Sequence, residues 1–155
     1  MAPTAQIRRM TAKDLPRVLE IAANTPELPR WPESAYANAL NAESTPRRIA
    51  LVAVDHLTER IEGFAVASLL PPEAELEAIG VTDENRRRGL ARMLLDGLIE
   101  ELRAATVREI ALEVRATNHP AIAFYRSAGF GQTGLRRLYY IDPIEDAVIM
   151  RLQFS

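Results

Sequence analysis

Residues 85–95, NRRRGLARMLL, set Arg86, Arg87 and Arg88 directly before Gly89, and the apolar spacing of a helix begins immediately afterwards. A helix start leaves backbone N–H groups unpaired and carries roughly half a positive charge, so a glycine-containing turn there can wrap a phosphate with main-chain donors. The arginines add long-range attraction. Gly89 lets the backbone come close to a ligand, and Ala91 is small enough to keep a second approach open. The ligand that suits such a turn is a diphosphate. The P-loop string, GxxxxGK followed by Ser or Thr, and a GxGxxG after the first strand are both absent. Taken alone, the stretch also fits an ordinary charged helix start beside a glycine.

Other residues able to do chemistry stand on strands and on a short helix. In IALEVR, alternation puts Ile110, Leu112 and Val114 on one face and Glu109, Ala111 and Glu113 on the other, which by itself describes a solvated strand carboxylate. In AELEAIGV the same alternation groups Glu75 and Glu77 with Ile79 and Val81, and Gly80 suits a bulge at that point. Tyr125 lies in an amphipathic helix, where an aromatic is usually core, and the preceding Phe124 is the better core candidate. Tyr139 and Tyr140 stand near the tip of the last hairpin, as packing residues or as a grip on an incoming peptide.

Composition narrows the classes. The 155 residues, 48% of them hydrophobic, suffice for one core and predict a single domain over 1–155. A net charge of −2, with acids spread along the chain, argues against a general nucleic-acid or membrane surface. No cysteine is present, which removes a disulfide framework, a cysteine-based zinc site and a cysteine nucleophile; His56 and His119 are far apart, so no metal is expected. The N-terminus lacks a long apolar segment, and a cytoplasmic protein is expected.

The elements that must position these residues follow from patterning. AQIRRM predicts a strand, and Thr11 a cap for a helix carrying Leu15, Val18, Leu19 and Ala22. NTPELPRWPES breaks that helix, and a short one resumes to about Leu40. RRIALVAV, IEGFAVASLL and AELEAIGV predict an antiparallel meander. From Arg87 to about Arg103, Leu90, Leu94, Leu98 and Leu102 form a helical stripe. A strand over REIALEVR follows, then a short helix capped by Asn118, with Pro120 in its first turn and Gly129 at its end. Two further strands close the chain. The order predicts an α/β arrangement, a mixed sheet of about seven strands with helices on both faces and one central strand-helix-strand crossover.

Arg86-x-x-Gly89-x-Ala91 after a mid-chain strand resembles the acetyl-coenzyme A pyrophosphate loop of the GNAT N-acetyltransferase superfamily, and the element order matches that fold. LEVRATNHPAIAFYRSAGF, then RRLYYIDPIEDAVIMRL, resemble the C-terminal half of the bacterial RimI-type enzymes, which acetylate the N-terminal alanine of a small-subunit ribosomal protein. PRWPESAYANAL is similar to the Trp-containing helix start of that group, and the close match runs from Glu73 to Leu152. The chain departs from the pattern in the proline-flanked PRWPES and in RRRGLA, which ends in Ala where Gly is usual.

The resemblance implies acetyl transfer from acetyl-CoA to an amine by direct attack in a ternary complex. It implies a cofactor site at Ile79, Gly80, Val81, Arg86, Arg87, Arg88, Gly89, Leu90, Ala91, Arg92 and Asn118, with Tyr125 against the cofactor sulfur. Around Ile79 to Val81 the main chain would pair with the pantetheine arm as an added strand does. Glu113 is implied as general base and Tyr125 as general acid, with Glu75 and Glu77 in reserve as bases. An α-ammonium of pKa about 7.7–8.0 must lose its proton before attack, and a carboxylate can take it directly or through water. Trp31, Glu75, Glu77, Tyr139 and Tyr140 are the expected substrate contacts. The expected acceptor is a protein N-terminus, with a monomer or weak dimer, no direct nucleic acid and no membrane. Alternatives are an acetyltransferase for small-molecule amines and a non-catalytic acyl-CoA binding module; the latter would have no need of Glu113 and Tyr125 together.

Overall fold

The computed structural model describes residues 5–83 and 89–154; Arg86, Arg87 and Arg88, expected in the phosphate turn, lie outside them. β1 (Ala5–Arg9) leads through a single 3-10 turn, Ala12–Asp14, into α1 (Leu15–Ala23). The turn forms because the Asp14 carboxylate accepts the Thr11 N–H at 2.7 Å and the Arg8 guanidinium at 2.8 and 3.0 Å. The cap expected at Thr11 therefore serves this turn, and α1 starts at Leu15. α2 (Glu33–Ala39), β2 (Arg47–Asp55), β3 (Ile61–Leu70) and β4 (Glu73–Val81) follow, then α3 (Leu90–Ala104), β5 (Glu109–Arg115), α4 (His119–Ser127), β6 (Gly131–Tyr140) and β7 (Glu145–Gln153).

The seven strands form one sheet in the order β1-β2-β3-β4-β5-β7-β6. Every neighbouring pair is antiparallel except β4–β5, which is parallel and joined by the α3 crossover. One face packs on α3, whose Leu90, Leu94, Leu95, Leu98 and Leu102 are all buried against Leu51, Ala65, Ile110 and Leu112. The opposite face packs on α1 and α2, with Val18, Ile21 and Tyr36 against Val52, Phe64 and Ala78. The alternation expected of β5 is observed, Ile110, Leu112 and Val114 being buried and Glu109, Ala111 and Glu113 half-buried.

Two expectations are corrected by β4. The bulge lies at Glu77, which is skipped between the pairs Val66↔Ala78 and Ala67↔Leu76, and not at Gly80. An extra residue reverses the facing of everything beyond it. Leu76 packs on the α3 side and Ala78 on the α1/α2 side, so Ile79 and Val81 return to the α3 side, away from Glu75 and Glu77. The four residues therefore do not share a face. Gly80 now points at α1 and at the segment leading to α2; a Cβ there would lie 3.0 Å from Leu28 Cδ1 and 3.2 Å from Phe64 Cε1.

The second consequence is an opening in the sheet. β4 and β5 pair only at Glu73↔Glu109, Ala74↔Ile110 and Glu75↔Ala111, and among the described residues they make no further pairs. The bulge begins two residues after the last pair, and from there to Val81 the β5-facing edge of β4 is free of β5.

Candidate active site

Gly89 holds φ +82°, a left-handed conformation that strains any residue with a Cβ, and it serves as N-cap of α3. The long helix therefore starts at Leu90 and not at Arg87. Met93 N–H bonds to Gly89 O at 3.0 Å, so the N–H groups of Leu90, Ala91 and Arg92 precede the first intrahelical bond and form the donor-rich end of the helix. Leu90 is buried while Gly89 and Arg92 are exposed, which pins the turn from inside and leaves its backbone accessible. Arg92 Nε pairs with Asp96 at 3.1 Å. Asn118 caps α4 as expected, its Oδ1 accepting the Ala121 N–H at 3.3 Å, and Gly129, at φ +100°, ends that helix.

On the α1/α2 side of the sheet, a cavity of about 370 Å³ is lined by Glu73, Glu75, Glu113, Arg136 and Ile149 among others. Glu113 reaches it because β5 turns its odd-numbered side chains that way. Its Oε1 lies 3.2 Å from Arg136 Nε. The neighbouring Glu113 carboxylate pushes the Tyr139 pKa up. Burial and the nearby Glu113 push Tyr140 up to about 12. Arg115 lies over the Tyr140 ring at 4.3 Å, and Arg136 over the Tyr139 ring at 5.1 Å. Both tyrosines are thus attached to the site by cations as well as by packing.

Glu75 faces the same cavity from β4. Surrounding protein withholds solvent from its carboxylate and Glu113 and Glu77 repel its charge, so its pKa is raised. It makes no hydrogen bond or ion pair among the described residues. Glu77 differs: Arg48 binds it at 2.7 Å and 3.4 Å, which occupies both carboxylate oxygens.

Tyr125 is more buried than expected. At 8% exposure it belongs to the α3-side core, between the rings of Phe124 (5.2 Å) and Phe130 (5.5 Å), while Phe124 is only partly buried. The expectation that Phe124 is the core residue of the pair is thereby reversed. Burial, and then the neighbouring Tyr140, raise the Tyr125 pKa. Tyr125 thus lies in the α3-side core, whereas the Glu113 cavity opens on the α1/α2 side. Trp31 is placed elsewhere: its ring lies 5.1 Å from that of Tyr36 on the α1/α2 side, and it does not line the Glu113 cavity.

The sequence pointed to neither Arg136 nor Arg115. Arg136 and Arg115 pair with the same β7 residue, Ala147, and so share the face of Glu113, a relation that emerges only from the strand order.

The sequence matches the model of the acetyltransferase (GNAT) family over residues 15–130. It is 38% identical over 148 residues to the ribosomal protein bS18-alanine N-acetyltransferase of Salmonella typhimurium, covering 94% of this chain and 95% of that protein. It is 31% identical over 153 residues to an N-alpha-acetyltransferase of Saccharolobus solfataricus, covering 93% and 90%. The crystal structure of the ribosomal-protein-S18-alanine N-acetyltransferase from Escherichia coli matches with a TM-score of 0.83 at 34% identity, covering 97% of this chain and 94% of that one. The chain belongs to the acetyltransferase (GNAT) family.

Proposed function

We infer that the chain transfers the acetyl group of acetyl-CoA to the α-amine of a protein N-terminus, with the N-terminal alanine of ribosomal protein bS18 as its acceptor. The observation that carries this reading is the position of Glu113 in a cavity beside the free edge of β4, in a chain with bS18-alanine acetyltransferases among its relatives. The single seven-stranded sheet supports treating residues 1–155 as one domain. A ribosomal acceptor places the reaction in the cytoplasm.

The residues present fit acetyl-CoA. The strand edge over Ile79, Gly80 and Val81 suits pairing with an extended arm, and the N–H groups of Leu90, Ala91 and Arg92 behind Gly89 suit a pyrophosphate. Asn118, at the start of α4, is within the same set. Bound there, the thioester supplies an activated acetyl group.

Glu113 takes the proton of the attacking ammonium. An α-amine of pKa about 7.7–8.0 is acidic enough for one carboxylate or a bound water to suffice near neutral pH. Glu75 shares the cavity, where it acts as a second negative charge that holds the ammonium, and Glu77 is committed to Arg48. Tyr125 remains protonated at neutral pH because burial raises its pKa. A thiol has a pKa of about 8.5, below that of such a phenol, so Tyr125 acts by donating a hydrogen bond to the departing sulfur more than by giving up its proton. Tyr139 and Arg136 form the wall that grips the peptide.

The test is to incubate the protein with acetyl-CoA and either a peptide bearing the bS18 N-terminus or a panel of small amines, with coenzyme A release as the readout. Release with the peptide and not with the amines supports the assignment. Release with small amines alone transfers the site to the small-molecule class.

A further inference from the structure

Glu62 is a carboxylate buried to 6% exposure at the second position of the apolar strand β3, and it lies outside the Glu113 cavity. It is there because β3 carries a bulge of its own: Ala53 pairs with Gly63 and Val54 with Ile61, so Glu62 is the extra residue. Its Oε2 accepts the Thr82 hydroxyl at 2.8 Å and lies 3.5 Å from Arg17 Nη2. Its carbonyl accepts the Thr82 N–H at 2.9 Å. Arg17 is fixed in turn, its Nε donating to Ile61 O at 2.9 Å and its Nη1 pairing with Glu20 at 2.8 Å. A buried ion pair of this kind is weak evidence for stability and needs another reason to be present.

The place of Thr82 supplies one. It is the first residue after β4, where the chain leaves the free strand edge. We propose that Glu62 is a positioning residue for acetyl-CoA, bridging α1 to Thr82 so that the end of the strand edge over Ile79 to Val81 is held in place. Glu62 does not touch the cofactor in this account. The inference rests on assigning Ile79 to Val81 and Gly89 to Arg92 to the cofactor.

The experiment compares Thr82→Val, Thr82→Ser and Glu62→Gln with Gly89→Val, reading coenzyme A affinity by calorimetry and the steady-state constants. Thr82→Val keeps shape and removes the hydroxyl. It should weaken coenzyme A binding and raise the KM for acetyl-CoA by about 3- to 30-fold, as expected for a residue acting through its neighbours. The kcat at saturating acetyl-CoA and the KM for peptide should stay within about twofold of wild type. Thr82→Ser keeps the hydroxyl and should restore wild-type affinity. Glu62→Gln should act in the same direction as Thr82→Val; should it fail to fold, the two Thr82 variants carry the test alone. A folded Thr82→Val protein with wild-type affinity, while Gly89→Val has lost it, overturns the role of Glu62 and leaves the cofactor site standing. Unchanged affinity in folded Gly89→Val overturns the cofactor site and the bridge with it. A Thr82→Val enzyme that loses kcat and peptide binding together overturns the positioning role in favour of a general structural one.

Discussion

Glu113 Oε1 lies 3.2 Å from Arg136 Nε, whereas Glu75, one strand away in the same cavity, makes no ion pair among the described residues. The two carboxylates are therefore not equivalent, and their removal should have different signatures. Glu113→Gln keeps the shape and removes the proton acceptor; kcat should fall by about 10²- to 10⁴-fold at neutral pH. Part of the loss should return as pH rises, because solution then supplies the free amine.

Glu75 should govern the acid side of the profile. Burial and the Glu113 and Glu77 charges raise its pKa, so it takes up a proton earlier as pH falls and the cavity loses a negative charge. In the wild type, the KM for peptide should rise as pH drops through this raised value. In Glu75→Gln the KM should already be high at neutral pH, and this pH dependence should disappear. The same shift affects stability. A carboxyl with a raised folded pKa stabilises the fold below its unfolded value and loses that contribution as pH rises through the folded one. Denaturant midpoints should therefore show Glu75→Gln slightly more stable than wild type near neutral pH.

Tyr125→Phe deletes one hydroxyl and keeps the ring between Phe124 and Phe130. The turnover number should fall by about one to three orders of magnitude with little change in either KM. Wild-type turnover under conditions where chemistry limits the rate would remove Tyr125 from the mechanism.

Asp14 provides a stability prediction separate from the site. Its hydrogen bonds from Arg8, then those from Thr11, hold its pKa below the ordinary carboxylate value. A lowered folded pKa means that the contribution is complete above the unfolded value of about 3.9 and is lost as pH falls through the folded one. Arg8 is exposed enough for solvent to screen the pair, so Asp14→Ala should cost about 1–2 kcal/mol, chiefly as a lost cap. The difference from wild type should shrink as pH falls through this lowered value.

Local patterns carried most of the fold. The leucine stripe of α3, the alternation of β5 and the Asn118 and Gly129 boundaries of α4 depend on neighbours in sequence, and each stands where spacing placed it. The bulge at Glu77 depends on the register of β3 against β4 and left no local mark, so the facing of Ile79 and Val81 was read the wrong way. Tyr125 was misjudged for a similar reason: Phe130, which helps bury it, follows the helix and packs back only in three dimensions. The ion pair of Glu113 with Arg136 required knowing that β7 separates their strands and aligns their faces.

The most direct test of the central claim is intact-mass analysis of two peptides incubated with the protein and acetyl-CoA. One carries a free N-terminal alanine and no lysine; the other is blocked at its N-terminus and carries an internal lysine, whose amine has a pKa of about 10.4. Acetyl transfer to an α-amine by Glu113 predicts a single acetyl group on the first peptide and none on the second, with the first signal much reduced in Glu113→Gln at neutral pH. Acetate found only on the blocked, lysine-containing peptide would contradict the account.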